Sequence, residues 1–295
     1  MKVLITGGGG FLGSFLNWVL NKEHRILSLY HNSTGNSNLF NSRYADIANN
    51  TILENIFREF KPDVVVHSAG ISSSAETAKH PAKYVYNVNV NATENIARLC
   101  NLHKAKLIFL STDLVYAGYR GQMLNEDAKL IPISLYAETK LMGEVKIQNT
   151  FENFIILRCA LMFGLGTGGA NNFFAQSYNK LINNIPIKVF TDQYRTPLSG
   201  REAAGIITSV LESDVTGIFN MGGRERLSRY ELFTKLCSAA GIDEGLLLKV
   251  KMSEIHGYTA VEDVSMDTSK LQSIGVNIIS VEESILKILN NKEYD

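Results

Sequence analysis

The chain is poor in cysteine, in clustered histidine and in net charge, and each shortage removes a class of function. Only three cysteines occur in 295 residues, Cys100, Cys159 and Cys237. They are far apart, odd in number and form no C-x-x-C. That excludes a disulfide scaffold and leaves reduced, buried thiols in a cytoplasmic chain as the expectation. The six histidines are scattered, with no H-E-x-x-H, so no metal site is expected. Lys+Arg and Asp+Glu stand at 29 each, a balance that offers no footprint for nucleic acid or for an anionic membrane. No window approaches the roughly 18 apolar residues of a membrane span. Glycines interrupt the first apolar stretch before a signal-peptide cleavage site can follow.

What is present is a core-forming pattern, with 45% hydrophobic residues, enough for one large domain or two intimate ones. The apolar runs "KVLIT", "RILSLY", "DVVVHSA", "KLIFLST" and "FIILRCA" alternate with segments of helical period. Among the latter are "FLGSFLNWVLN", "TILENIFREF", a long stretch from about Ala82 to His103, and "LYAETKLMGEVKIQN". Strands apolar on both faces and separated by helices predict an α/β fold, a doubly wound parallel sheet of Rossmann type. A dinucleotide-binding domain is expected over residues 1–157. Residues 158–295 are expected to form a smaller, mixed, mainly substrate-binding domain over the strands' carboxyl ends, with a segment near 195–221 returning to the first.

Three chemistries compete for "TGGGGFLGS". A Walker-type phosphate loop requires lysine after its last glycine, and Ser14 and Phe15 stand there instead. A plain strand–helix turn is the ordinary alternative. The third is a dinucleotide turn, because the segment directly follows the first strand and opens the first helix. Gly7, Gly10 and Gly13 then supply the tight turn, the approach to a pyrophosphate and close helix–strand packing. Gly8 and Gly9 fill positions that this register leaves open. The second strand ends "Leu29-Tyr30-His31-Asn32-Ser33" without the acid that would bind a ribose 2′-hydroxyl. His31, Asn32 or Ser33 could donate to a 2′-phosphate, which favours NADP(H) and leaves NAD(H) open.

Tyr136 and Lys140 stand four apart and share a helix face. Such pairs arise readily by chance, but Ser111 and Thr112 end a strand shortly before, and the Tyr136 helix leads into the next strand. Both segments point to the crevice beside a cofactor. A phenol of pKa about 10 is a weak acid near neutrality, and a neighbouring ammonium is expected to lower it. Tyr136 could then protonate an alkoxide as hydride reaches a carbonyl, with Thr112 bonding the same oxygen.

T-G-x-x-G-x-x-G, "VVVHSAG", "NVNV", "STD" and Y-x-x-x-K in this order resemble an extended short-chain dehydrogenase/reductase. Within that superfamily the chain resembles the dTDP-4-dehydrorhamnose reductase group from end to end, through "KPDVVVHSAG", "STDLVY", "LYAETKLMGE", "RCALMFG", "DQYRTP" and "MDTSKLQSIGV". The resemblance implies that Gly7, Gly10, Phe11, Leu12 and Gly13 hold the pyrophosphate. It places Asp46 and Ile47 beside the adenine and Ala69 and Gly70 along the cofactor, and makes Thr112, Tyr136 and Lys140 the catalytic set, with Tyr136 and Lys140 also touching the cofactor. Thr112, Asp113, Asn172, Phe173, Arg195 and Pro197 would contact a nucleotide sugar, and Asn89 would brace its helix. The related 4,6-dehydratases carry a glutamate where Leu114 stands here, so elimination loses its base. "VYAGYRGQ" only loosely follows the group's "V-F-D-G", which bears on sugar identity.

The resulting expectation is NADPH-dependent reduction of a 4-keto group on a nucleotide-activated deoxysugar, with a homodimer left open and no nucleic-acid or membrane partner. An epimerase that retains its cofactor uses the same three residues. A non-catalytic subunit is the third reading, since the regulatory β subunit of methionine adenosyltransferase resembles the same group. The register further expects alanine at Gly10 to weaken NADPH binding more than alanine at Gly9, provided that Gly9 is not itself at positive φ.

Overall fold

The computed structural model describes residues 1–118, 121–166, 172–256 and 260–290. The glycine-rich stretch "GLGTGGANN" and the stretch "VYAGYRGQ" therefore fall partly outside the described residues. Seven parallel strands form the central sheet: β1 (Lys2–Thr6), β2 (Arg25–Tyr30), β3 (Ser42–Tyr44), β4 (Val64–His67), β5 (Lys106–Thr112), β6 (Phe154–Cys159) and the edge strand Gly217–Met221. From that edge the order runs Gly217–Met221, β6, β5, β4, β1, β2, β3. The order reverses between β1 and β4, and ligands of open α/β sheets bind at such a switch point. The doubly wound parallel sheet is thus the fold the run pattern predicts. β3 went unread because three residues of sequence Ser-Arg-Tyr, mostly exposed, carry no apolar run.

β4 and β5 are buried along their whole length, β5 at all seven positions. Alternate side chains feed two layers. Val3, Ile5, Ile108 and Leu110 pack under helix α1 (Phe11–Leu20) and the helix Gly200–Leu211. Leu4, Leu107 and Phe109 pack on the other face with Ile56, Phe57, Ile96 and Leu99. A charged residue can begin β5 because the Lys106 ammonium donates to Val210 O at 3.1 Å and Ser213 O at 2.6 Å. It closes the carbonyl end of the helix below, where a cation is favoured.

The stretch from Ala82 to His103 differs from a plain helix. α-Helical turns at Ala82–Tyr86 and Ala92–His103 flank a π-helical turn at Asn87–Asn91. The bulge carries Asn89, whose Oδ1 accepts from Ile71 N at 2.8 Å while its Nδ2 donates to Ile71 O and Thr139 Oγ1, both at 3.1 Å. The loop after β4 is thereby tied to the helix that bears Tyr136.

After β6 a third core gathers Phe163, Phe174, Leu181, Phe233, Leu236 and Ile285, around the parallel pair Ile187–Phe190 and Leu247–Val250. Among the described residues no helix is long and apolar enough to cross a membrane.

One buried ion pair joins β5, β6 and the helix Leu135–Gln148. Glu144, fully buried, receives Arg158 Nε at 3.2 Å on both carboxylate oxygens and Nη2 at 2.8 Å, and accepts from Ser111 Oγ at 2.5 Å. Arg158 also donates to Tyr116 Oη at 2.7 Å and Glu126 O at 2.9 Å. Removing one partner of such a pair strands the other charge in a dry interior. Glu144→Ala is expected to destabilise the fold by about 3–5 kcal/mol in urea denaturation; a loss under about 1 kcal/mol would show that the pair is dispensable.

Candidate active site

The chain's main cleft, about 1080 Å³ in volume, opens at the carboxyl ends of β1, β2, β4, β5 and β6. Its cofactor half begins at the glycine turn. Gly7 sits at φ 77°, a left-handed conformation that glycine adopts without strain, and a Cβ there would meet Ala69 N at 2.7 Å. α1 starts at Gly10 with no side-chain cap and no acid in its first turn. The first amides of a helix have no partner within it and carry the positive end of its dipole. A pyrophosphate fits that cradle. Gly7, Gly10, Phe11, Leu12, Gly13, His31, Asn32, Ser33, Asp46, Ile47, Ala69 and Gly70 all line the cleft. Asp46 turns inward on its own backbone, its Oδ1 accepting from Ala48 N at 2.9 Å, and His31 lies 5.4 Å from the Tyr44 ring.

The intervening glycines are not free. A Cβ on Gly9 would lie 1.9 Å from Ser33 O, and one on Gly8 would lie 1.8 Å from Ser28 Oγ. On Gly10 the nearest atom is Gly7 O at 3.2 Å. The loop after β2 is packed directly onto the turn, held by Asn36, whose Nδ2 donates to Ser14 O at 3.0 Å and whose Oδ1 accepts from Asn17 Nδ2 at 2.9 Å. The register alone cannot see a loop that arrives from twenty residues away.

Thr112, Tyr136 and Lys140 converge on the far side of the cleft. Thr112 ends β5 in register with Cys159 at the end of β6. Its Oγ1 accepts from Leu114 N at 3.3 Å and donates to Asp113 Oδ1 at 3.1 Å. Ser134 caps the helix Leu135–Gln148 by accepting from Ala137 N at 3.2 Å, which fixes where the Tyr136 turn begins.

Electrostatics departs from the expected pairing. Burial raises the Tyr136 hydroxyl well above the usual phenol range, Cys159 and Asp113 push the same way, and Thr112 beside it opposes. Lys140 is lowered to about 8, by burial, against Cys159 and Glu144; its Nζ stands 4.1 Å from the centre of the Phe109 ring. The expected lowering of Tyr136 by Lys140 does not figure among these influences, and desolvation sets the direction. His67, lowered to about 3 by burial and then by Lys140, stays neutral between the hydroxyls of Thr6 at 2.7 Å and Thr93 at 2.9 Å.

The substrate half is mixed. Asp113 and Arg195 line it, with Arg195 Nε 3.7 Å from Asp113 Oδ2. Burial raises the Asp113 carboxyl, and Arg195 is the main opposing influence. Asn172, Phe173 and Pro197 are not among the described lining residues. Asn172 caps the helix Phe173–Ile182 by accepting from Ala175 N at 2.9 Å, and donates to Gly164 O at 2.9 Å. Phe173 reaches the cleft wall only by stacking its ring 5.5 Å from the Arg229 guanidinium. Cys159, Gln193, Arg229 and Ser134 line the cleft and were not read from the sequence. Cys159 was within reach, since it ends a predicted strand; Gln193 and Arg229 carried no signal beyond polarity.

A doubly wound sheet with a capless glycine turn and a Thr/Tyr/Lys cluster at its switch point defines a dinucleotide-binding α/β protein. The chain belongs to the RmlD substrate binding domain family, which matches residues 1–293. It is 26% identical to a dTDP-4-dehydrorhamnose reductase of Aggregatibacter actinomycetemcomitans over 257 residues, 84% of this chain and 81% of that one. It is 22% identical to methionine adenosyltransferase 2 subunit beta of Pongo abelii over 306 residues, 99% of this chain and 90% of the relative. Among solved structures, a dTDP-4-dehydrorhamnose reductase from Clostridium acetobutylicum superposes with a TM-score of 0.85 at 24% identity, covering 99% of each chain.

The contacts at the turn reverse one expectation. Gly9→Ala should weaken NADPH binding at least as much as Gly10→Ala, because its Cβ forces the Ser33 loop aside. Fluorescence titration of NADPH tests this, and a Gly10→Ala variant that binds more than tenfold worse than Gly9→Ala would contradict it.

Proposed function

We propose that the protein is an NADPH-dependent reductase of a 4-keto group on a nucleotide-activated deoxysugar. The observation that carries this reading is the convergence of Thr112, Tyr136 and Lys140 on the cleft that the glycine turn opens. Bound reduced nicotinamide would supply the hydride. Tyr136, kept protonated by burial, donates its proton to the carbonyl oxygen. Thr112 orients that oxygen, and the Lys140 ammonium steadies the phenolate left behind. NADP(H) is preferred because the end of β2 presents His31, Asn32 and Ser33 to the cleft and no acid.

Leu114 lines the cleft at the position of the dehydratase glutamate, which favours reduction over elimination. An epimerase would invert a hydroxyl without net NADPH oxidation. Loss of reduced-nicotinamide absorbance with dTDP-4-keto-6-deoxyglucose and related 4-keto nucleotide sugars therefore separates the two, and no NADPH consumption with any of them would defeat the reductase reading. The second reading, a non-catalytic subunit, draws on the 99% coverage against methionine adenosyltransferase 2 subunit beta. A stoichiometric enzyme partner in a pull-down, without turnover, would favour it.

Tyr136→Phe is expected to keep NADPH affinity and lose roughly two or more decades in turnover, the usual worth of general acid catalysis. Near wild-type turnover would remove Tyr136 from the chemistry. The pH profile provides a separate check. Burial favours the neutral amine of Lys140, so its ammonium is complete below about 8 and lost above it. The kcat/KM for reduction should fall as pH rises through that value, and a profile flat well into the alkaline range would show that the ammonium does not assist.

A further inference from the structure

The loop that follows β2 lies directly on the glycine turn. Ser33 O is 1.9 Å from where a Cβ on Gly9 would stand, and a Cβ on Gly35 would meet Gly9 O at 2.7 Å. Neither Gly8 nor Gly9 has a side chain that could grip the loop, so side-chain packing cannot secure it there. Polar groups behind the turn do so instead. Ser14 and Asn17 are buried on α1 beside the apolar Phe15, Leu16 and Leu20, and Ser28, Asn36 and Ser37, also buried, pack against them.

Asn36 is the centre of this cluster. Its Nδ2 donates to Ser14 O at 3.0 Å, and its Oδ1 accepts from Asn17 Nδ2 at 2.9 Å. Asn17 Nδ2 also donates to Gly8 O at 3.1 Å. The two carbonyls can only accept, so the orientation of both amides is fixed. The loop is thus pinned at both ends, at its start by Gly8 N donating to Leu29 O at 2.8 Å and at its close by Asn36. Between the pins stand His31, Asn32 and Ser33, which line the cleft, whereas Asn36 is buried behind its wall. Buried amides are costly unless their hydrogen bonds are made, and here those bonds set the path of three cleft residues. With a dinucleotide's pyrophosphate at the head of α1, the 2′ position of the adenosine ribose falls at the end of the second strand. That is the pinned span.

We propose that Asn36 is a positioning residue that fixes His31, Asn32 and Ser33 against the glycine turn and thereby sets the preference for NADPH over NADH, an assignment that rests on the NADPH reading above. Fluorescence titration of both reduced cofactors tests it, with thermal unfolding of the cofactor-free protein as the control for folding. Asn36→Ala should weaken NADPH by about tenfold or more, the usual loss of a hydrogen bond to a charged oxygen, and NADH by less than about threefold. A general loosening of the fold would weaken both alike and leave their ratio unchanged. An NADPH-to-NADH affinity ratio within about twofold of the wild type's, a difference under half a kcal/mol, therefore overturns the assignment. Asn36→Ser keeps a hydroxyl that can donate and accept, and should recover part of the ratio. If Asn36→Ala does not fold, Asn36→Ser decides: a lowered ratio upholds the assignment and an unchanged one overturns it. Wild-type protein that binds the two cofactors equally defeats the NADPH reading and this assignment together. A wild type that prefers NADPH, with the ratio unchanged in the variants, overturns the assignment alone.

Discussion

The buried pair of Arg158 and Glu144 is the contact on which the arrangement of the cleft depends. Glu144 lies one helical turn beyond Lys140, Ser111 precedes Thr112, and Arg158 precedes Cys159. Three segments that each deliver a side chain to the site are therefore joined, one residue or one turn away, by charge-assisted hydrogen bonds of 2.5 to 3.2 Å. Ion pairs of this kind add little net stability against an apolar replacement, because both charges lose their hydration. Their directional geometry is a different matter. Apolar side chains at these positions would fill the space and leave the helix free to slide by fractions of an ångström relative to β5 and β6. The carboxylate fork does not, and reacting groups must be held to that tolerance.

Much of this was legible in the sequence, for identifiable reasons. The strands β1, β4 and β5 are apolar on both faces, so their runs need no alternation to be seen. The glycine turn announces itself because it combines a backbone demand at Gly7 with its place between strand and helix. What stayed hidden arises between segments. β3 consists of three residues and exists because β2 offers an edge. The tightness at Gly9 comes from Ser33, and the π-turn at Asn87–Asn91 from the demands of Ile71 and Thr139 on one asparagine. For Phe173 and Asn172, the expected ligand contacts, the structure shows a ring against Arg229 and a helix cap. Local pattern reports periodicity and backbone preference; it does not report which loop lands on which turn.

Two of the three residues proposed to react also have structural work. Thr112 caps the turn Asp113–Tyr116 through Leu114 N, and Lys140 packs its ammonium against the Phe109 ring. A protein of this family that only bound a dinucleotide would have reason to keep both. Thr112 and Lys140 are therefore held in place by the fold as well as by any chemistry. The weight falls on Tyr136. Its hydroxyl is buried with Cys159 and Asp113 raising its proton affinity, one helical turn before an amine whose proton affinity burial has lowered. The two shifts keep the phenol protonated and bring the ammonium near its titration point at neutral to mildly alkaline pH. A proton held on the phenol is released only when a stronger base forms against it, and an alkoxide produced by hydride addition is such a base. In the proposed reduction, the desolvation that holds the phenol protonated would confine proton donation to the moment at which the carbonyl takes up hydride.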